Sequence, residues 1–248
     1  MKISLITVVY NGERFLESCI NSVIAQDYAD LEYILIDGAS TDNSLEIANK
    51  YRDKIDVLLS EKDKGMYDAL NKGIALAKGE IIGILNADDM LATNDVISTI
   101  AKTFSSSQTD GVYGDLNYID PNNTNKIIRK WKDKPYSLGG IKRGWMPAHP
   151  TLYLKRSLFV KYGNYSLNFG TAADYELMLR FLFKHKIKAV YLNKLIVKMR
   201  TGGMSNASLK LRKHALDNDL KAIRENGIKL PYLTLFLKKI RKIQQFFH

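Results

Sequence analysis

Residues 81–89 read Ile81-Ile82-Gly83-Ile84-Leu85-Asn86-Ala87-Asp88-Asp89. Five mostly apolar residues run without alternation into two adjacent carboxylates. A short unalternating apolar run predicts a strand buried on both faces, as in a parallel sheet. The carboxyl end of such a strand is where an open α/β sheet places ligands. Two adjacent Asp repel unless a cation or a hydrogen-bond network neutralises them. A hard divalent cation with oxygen ligands, bridging a diphosphate, meets that need. A helix cap near Thr93 or Asn94 would account for one carboxylate but not for two.

Outward from this stretch the same grammar repeats. Ile3 to Val9 predicts a first buried strand, stopped by Tyr10-Asn11-Gly12, and a helix follows with Phe15, Leu16, Cys19, Ile20, Val23 and Ile24 on one face. Leu31 to Ile36 predicts a second strand, running into Asp37-Gly38-Ala39-Ser40-Thr41-Asp42, and Ile55 to Leu59 a third. Helices are expected from about Leu45 to Tyr51 and from Met66 to Ala77. Alternating strands and helices imply βαβ units and a mainly parallel sheet. Right-handed crossovers then bring the strand ends 7–11, 37–42 and 86–89 to one edge. No glycine-rich dinucleotide fingerprint follows the first strand and no Lys-bearing phosphate loop is present, which argues against a dehydrogenase or a P-loop NTPase.

Beyond the helix holding Val96, Ile97, Ile100 and Phe104 the pattern changes. Gly111–Tyr118 and Lys126–Trp131 predict a hairpin around Asp120-Pro121-Asn122-Asn123. Residues 135–150 are rich in Gly and Pro and hold Trp145 and His149. A short strand is expected at Thr151–Leu154, a helix at Asp174–Phe183, strands at Ile187–Tyr191 and Leu195–Met199, and a basic helix from about Ala207 to Glu225. Asp174 then lies at a helix N-terminus, where the dipole favours a carboxylate.

The chain has 248 residues, enough for one large α/β domain, or for one domain plus a small appendage. Its lone cysteine, Cys19, excludes an internal disulfide, fits a reducing compartment and sits at core spacing. No apolar run reaches membrane-spanning length, and the first strand lacks a signal peptide's flanks. The net charge of +11 is divided unevenly. Residues 1–125 carry 10 Lys+Arg against 20 Asp+Glu, a net −10, and residues 126–248 carry 27 against 6, a net +21. The second half is therefore expected to meet something anionic. Nucleic acid is not expected, because the acidic half would repel it and no binding motif is present. In Pro231 to His248, Leu233, Phe236, Ile240, Ile243 and Phe247 share a helical face beside Lys238, Lys239, Arg241 and Lys242, with no acidic residue. That pattern fits a helix lying on an anionic membrane surface. It fits equally a helix packed on its own domain or on a second subunit.

Taken together, Thr7-Val8-Val9-Tyr10-Asn11-Gly12, Ile36 to Asp42, Asp63-Lys64-Gly65-Met66-Tyr67-Asp68-Ala69-Leu70-Asn71-Lys72-Gly73 and Leu85 to Asp89 resemble glycosyltransferase family 2. His149-Pro150-Thr151, Ala173 to Leu177 and Arg200-Thr201-Gly202-Gly203-Met204-Ser205 resemble its branch that builds bacterial surface polysaccharides, of O-antigen or capsule type. The resemblance spans roughly residues 3–205 in one collinear order. It implies a GT-A fold, a Rossmann-like mainly parallel sheet flanked by helices. That domain would occupy 1–205, with a nucleotide-binding half to about 104 and an acceptor-binding half from about 105, followed by a basic helical extension at 206–248.

The resemblance also implies roles. Thr7, Tyr10 and Asn11 line the nucleotide pocket, Asp37 hydrogen-bonds the base, and Asp68 lies near the donor. Asp89 with Asp88 positions Mg²⁺ or Mn²⁺ on the diphosphate. Asp174 is the catalytic base of an inverting transfer from a nucleotide-sugar, by default a UDP-sugar. The acceptor would be a saccharide on undecaprenyl diphosphate, and the enzyme peripheral on the inner face of the bacterial cytoplasmic membrane. Arg200, before Gly202-Gly203, suits a mobile lid folding onto phosphates. His149 is a candidate for contact with diphosphate, metal or acceptor, and Trp145 for stacking on an acceptor sugar or for core packing. Two departures stand out: Asn86 replaces a frequent Asp, and Ala173 a frequent Glu. The Gln-x-x-Arg-Trp segment of processive members is not found, so transfer of a single sugar is expected. A sugar nucleotidyltransferase is the alternative, although Tyr10-Asn11-Gly12-Glu13 occupies the place of its basic glycine-rich loop.

Overall fold

Strand β1 (Ile3–Val9) lies at the centre of a parallel group. It pairs on one side with β2 (Leu31–Asp37), which pairs in turn with β3 (Val57–Ser60), and on the other side with β4 (Ile81–Asn86). The register sets Val9 beside Asp37, Val8 beside Asn86 and Asp37 beside Ser60, so the carboxyl ends of all four strands form one rim. The structure, a computed structural model, describes residues 1–202 and 209–244. Gly203, Met204 and Ser205, the boundary drawn at 205/206, and Phe247 lie outside the described residues, as does the side chain of Ile243.

From β4 the sheet continues through β8 (Tyr153–Lys155), antiparallel to both its neighbours, to β6 (Gly111–Ile119) and β9 (Ala189–Arg200), which pair in parallel. β5 (Met90–Leu91) closes that edge against β9, and β7 (Ile127–Trp131) forms the expected hairpin with β6. The two strands expected at 187–191 and 195–199 are one. Register shifts near Asp115 absorb the polar Asn193-Lys194 pair, and Lys194 reaches Asp95. The strand expected at 151–154 begins later, because His149–Thr151 form a tight helical turn.

Alternating strand residues feed two cores. Ile6, Val8, Ile34 and Ile36 face α3 (Met66–Leu76). The same side holds α6 (Arg156–Tyr162) and α7 (Ala173–Met178), which widens into a π-helical segment over Leu179–Lys184. Ile3, Leu5, Val9 and Leu35 face α1 (Glu13–Ile24), α2 (Ser44–Lys50) and α4 (Val96–Ser106). This is the mixed α/β fold with a mostly parallel sheet and flanking helices that the sequence implied.

A short α5 (Leu138–Lys142) precedes Gly144, where the C-terminal helices dock. Those are α8 (Leu209–Glu225) and α9 (Pro231–Gln244). On α9, Thr234 donates to the Lys142 carbonyl, Arg241 to the Arg143 carbonyl, and Lys238 pairs with Asp219 over the Tyr175 ring. Gly144 has φ +76°, and a Cβ there would stand 2.4 Å from the Lys238 nitrogen, so only glycine fits this seat. The opposite face of α9 leaves Leu233, Phe236 and Ile240 exposed, Phe236 at 60%. One face packs on the chain's own domain and the other stays open. Among the described residues no helix is long and apolar enough to cross a membrane.

Candidate active site

Three groups of side chains hold the candidate residues. The first is the turn after β1 and β2. Asn11 and Ala39 both have positive φ, 50° and 60°, an uncommon conformation for non-glycine residues that clusters at ligand sites. Their turns are sewn together: Asn11 N–H donates to Ser40 Oγ and Asn11 Oδ1 accepts from Thr41 N–H. Tyr10 is 64% exposed, with its ring beside Gly38. Asp37 is fully buried and accepts from Ser40 N–H and Ser60 Oγ, so it shapes the turn from beneath. Thr7 does not line a pocket. Its hydroxyl is enclosed, accepts from Tyr33 and touches Cys19, because β1 points this residue into the core. Cys19 is a core residue, its thiol pushed up to about 12 by burial. Asp68 sits in the first turn of α3 and accepts from Lys64 N–H.

The second group is the carboxylate pair. Asp89 is 0% exposed. Its Oδ2 accepts from Asn86 Nδ2 at 2.9 Å and its Oδ1 from Arg200 N–H at 3.3 Å. Burial, then the Asp88 charge, push its carboxyl up to about 8. Asp88 is half-buried, and burial raises its carboxyl as well. Asp88 is the more exposed of the two, and each oxygen of Asp89 accepts one hydrogen bond that braces the turn. Among the described residues no three His, Cys, Asp or Glu converge as a protein-only cage. The pair fits a hard cation held by one carboxylate and completed by substrate phosphate and water, the habit of Mg²⁺ sites.

Arg200 is not a lid. It ends β9, is 6% exposed, and donates to the Asp88 carbonyl at 2.6 Å and to Ser18 Oγ at 2.9 Å.

The third group surrounds Asp174 in the first turn of α7. It is half-buried, and Oδ1 accepts from Tyr175 N–H at 2.7 Å. Tyr67 donates to the Thr171 carbonyl just before it, and its phenol is held un-ionised by burial and by the neighbouring Asp174 charge. His149 Nε2 lies 2.7 Å from the Tyr165 hydroxyl, with the rings edge to face. Burial lowers the His149 pKa, opposed by the Asp174 charge, which favours a neutral imidazole. Asn71 clamps both backbone groups of Tyr165. Trp145 is not available for stacking on a sugar. It is 6% exposed, packed between Tyr113 and Tyr136, and donates to Asp133 Oδ1 at 2.8 Å.

Sequence reasoning did not single out Ser18, Asn71 or Tyr165, nor Tyr67 as a neighbour of Asp174. Tyr67 and Asn71 lie inside the 63–73 motif and share a face of α3 at i, i+4, a signal that was available. Tyr165 and Ser18 carry none.

The comparisons with known proteins bear on the fold and the family. Solved structures with the same fold include a mannosyltransferase, PcManGT, from Pyrobaculum calidifontis in complex with GDP-Man and Mn²⁺, with TM-score 0.70 and 19% identity over 95% of this chain and 69% of that one. S. aureus TarS 1-349 in complex with UDP-GlcNAc has TM-score 0.65 and 14% identity over 100% and 93%. Among curated relatives, a PGL/p-HBAD biosynthesis glycosyltransferase of Mycobacterium bovis (strain BCG / Pasteur 1173P2) is 29% identical over 82% of this chain and 78% of its own length. An uncharacterized glycosyltransferase of Mycobacterium tuberculosis (strain CDC 1551 / Oshkosh) is 32% identical over 72% and 68%. The family model described as Glycosyl transferase family 2 matches residues 4–173, more than half of the chain, and with that match the chain belongs to glycosyl transferase family 2.

Proposed function

We propose that this family 2 glycosyltransferase moves one sugar, with inversion, from a nucleotide-sugar of UDP type to a hydroxyl of a lipid-linked saccharide. Two observations support the reading: a half-buried carboxylate, Asp174, in the first turn of α7 near Tyr67 and His149, and a rim of parallel strand ends that runs into Asp88. Tyr10, Asn11 and the turn held by Asp37 would take the nucleoside, with Asp68 near the sugar. Asp174 takes the proton of the acceptor hydroxyl as its oxygen attacks the anomeric carbon. The new C–O bond forms as the bond to the diphosphate breaks, and the nucleoside diphosphate leaves. One displacement inverts the anomeric centre. A divalent cation, Mg²⁺ or Mn²⁺, bound at Asp88 would supply positive charge against the leaving diphosphate. The complexes of the structural neighbours, UDP-GlcNAc in TarS and GDP-Man with Mn²⁺ in PcManGT, support a donor of this class.

The acceptor proposed is a saccharide on undecaprenyl diphosphate, an intermediate of bacterial surface polysaccharide, met at the inner face of the cytoplasmic membrane. The +21 of residues 126–248 and the open apolar face of α9, beside the exposed Lys229 and Lys239, support an anionic bilayer as partner. The reaction is tested by incubating UDP- and GDP-sugars with lipid-linked saccharides. Release of nucleoside diphosphate matched by a glycoside of inverted configuration is expected. Retention of configuration, or release of pyrophosphate, contradicts the proposal. Membrane seating is tested by co-sedimentation with vesicles of phosphatidylcholine with and without phosphatidylglycerol. Binding to the anionic vesicles is expected and is lost in Leu233→Ser/Phe236→Ser. Equal sedimentation of the double variant would rule out α9.

A further inference from the structure

His149 comes from the tight turn His149–Thr151 and Tyr165 from the loop after α6. Both backbones are pinned. Leu152 N–H donates to the His149 carbonyl at 3.1 Å, and Thr151 Oγ1 to the Ala148 carbonyl at 2.8 Å. Asn71 Oδ1 accepts from Tyr165 N–H at 3.0 Å, and Asn71 Nδ2 donates to the Tyr165 carbonyl at 2.9 Å. The Tyr165 ring packs with Tyr67, at 5.5 Å between centroids, and with Phe159, at 6.4 Å. One polar link joins the two residues, His149 Nε2 to the Tyr165 hydroxyl at 2.7 Å. Among the described residues neither side chain makes another hydrogen bond, so Nδ1 of His149 is left without a protein partner. Tyr165 is 4% exposed and His149 is half-buried. The charge of Asp174 acts on both.

The direction of that link follows from chemistry. A phenol is a more acidic donor than a neutral imidazole, and an imidazole nitrogen is the better acceptor. Burial, then the Asp174 charge, opposed by Arg180, keep the Tyr165 phenol un-ionised. A Tyr165 hydroxyl that did not donate here would have no acceptor among the described residues, and a buried donor left unpaired is costly. The phenol therefore donates and Nε2 accepts. In the neutral imidazole the proton then sits on Nδ1. We propose that Tyr165 is a positioning residue that fixes His149 in the Nδ1–H form, and that this N–H donates to an oxygen of the acceptor sugar next to the hydroxyl that Asp174 deprotonates. The inference rests on the reading of Asp174 as the base. In this form His149 cannot ligate a metal, because Nε2 is taken and Nδ1 carries a proton. A donor near a carboxylate lets the site read two oxygens of one sugar, one that gives up a proton and one that accepts a hydrogen bond.

The test is the imidazole ¹⁵N–¹H correlation spectrum of the whole chain, which tells the two neutral tautomers apart, at about pH 8, above the ordinary histidine range. The chain has 4 histidines, and the His149 signals are those lost in His149→Asn or His149→Gln, so one folded variant suffices for assignment. His149 is expected as the Nδ1–H tautomer in wild type, and as a mixture or as Nε2–H in Tyr165→Phe. A wild-type His149 protonated on Nε2, or present in both forms, overturns the inference. An unchanged tautomer in Tyr165→Phe also overturns it, since Tyr165 would then fix nothing. The substrate contact is read in the transfer assay, with the nucleotide-sugar and lipid-linked saccharide that wild type turns over. Asn sets an amide N–H near the place of Nδ1, whereas Gln carries it on to the place of Nε2. His149→Asn is expected to keep about tenfold more kcat/KM for the saccharide than His149→Gln, the worth of one hydrogen bond. Equal losses in the two variants overturn the contact with the sugar. Unchanged transfer in Asp174→Asn removes the base reading but leaves the tautomer as measured, so the two failures are told apart.

Discussion

Asp89 and Asp174 are both carboxylates at the ends of regular elements, yet they are built in opposite ways. Asp89 is enclosed, and each oxygen accepts one hydrogen bond, from Asn86 and from Arg200. Asp174 is half open and ringed by Tyr67, His149 and Tyr165. The first site is made by strand register, since β1, β4 and β9 bring its parts together, and its buried carboxylate is met by hydrogen-bond donors inside the fold. The second is made by side chains from α3, a helical turn and a loop, held by clamps such as Asn71 to Tyr165. A site of the first kind ties ligand binding to stability. A site of the second kind can be altered in chemistry with little effect on the fold.

The largest expected effect tests the open site. Asp174→Asn should lower sugar transfer by about 10²–10⁴-fold, the usual worth of a general base, with the free protein's melting temperature nearly unchanged. A variant that also melts much earlier would show that Asp174 is structural and erase the contrast. Asp89→Asn against Asp88→Asn comes next. Asp89→Asn puts an amide where both neighbours, Asn86 Nδ2 and Arg200 N–H, are donors, and a buried donor left unpaired costs about 1–3 kcal/mol, so this variant should melt several degrees lower, whereas Asp88→Asn should melt near wild type and lose cation-dependent nucleotide binding. Equal melting temperatures would mean that the two carboxylates share one role.

A third comparison concerns the seat of α9, which packs Lys238 over Tyr175, the neighbour of Asp174. Gly144→Ala should destabilise by about 1–3 kcal/mol, from strain at positive φ and overpacking against Lys238. Limited proteolysis should then cut within 231–244 first. Unchanged cleavage would mean that α9 is not held there. The smallest effect comes from Asp133, a buried carboxylate whose partners are the Trp145 indole and the Lys134 amide rather than a guanidinium. Burial raises it from the ordinary 3.8 to about 7. Between those values the folded state keeps a proton that the unfolded state has lost. Stability should therefore fall as pH rises from about 4 to about 7 and level off above. Asp133→Asn should flatten that slope, as read from chemical denaturation at stepped pH. An unchanged slope would assign the pH dependence elsewhere.

The legibility of the two sites in sequence follows from how they are made. Apolar runs that end in Tyr10-Asn11-Gly12, Asp37-Gly38 and Asn86-Ala87-Asp88-Asp89 are local signals, and parallel pairing turns them into one rim without further information. The burial of Arg200 was not legible. Its partner Asp89 lies 111 residues away, and the adjoining Gly202-Gly203 suggests a loop. Trp145 stayed open between sugar stacking and core packing for a related reason: a Gly- and Pro-rich neighbourhood looks exposed, while Tyr113 of β6 and Asp133, in the loop after β7, enclose the ring in the core. Asn193-Lys194 suggested a break between strands because polar residues inside a strand need a bulge or a partner, and β9 has both.

The central claim is a donor site at the strand-end rim whose reaching carboxylate is Asp88. It is tested most directly by thermal melts with UDP, GDP, CDP, ADP and dTDP, each with and without Mn²⁺, on wild type and Asp88→Asn. A ligand at a hundred times its dissociation constant stabilises by about 2.7 kcal/mol, enough to move the melt by several degrees. One diphosphate should raise the wild-type melt, more with Mn²⁺ than without, and the Mn²⁺-dependent part should vanish in Asp88→Asn. No shift with any nucleotide, or a Mn²⁺-dependent shift that survives in Asp88→Asn, would contradict it.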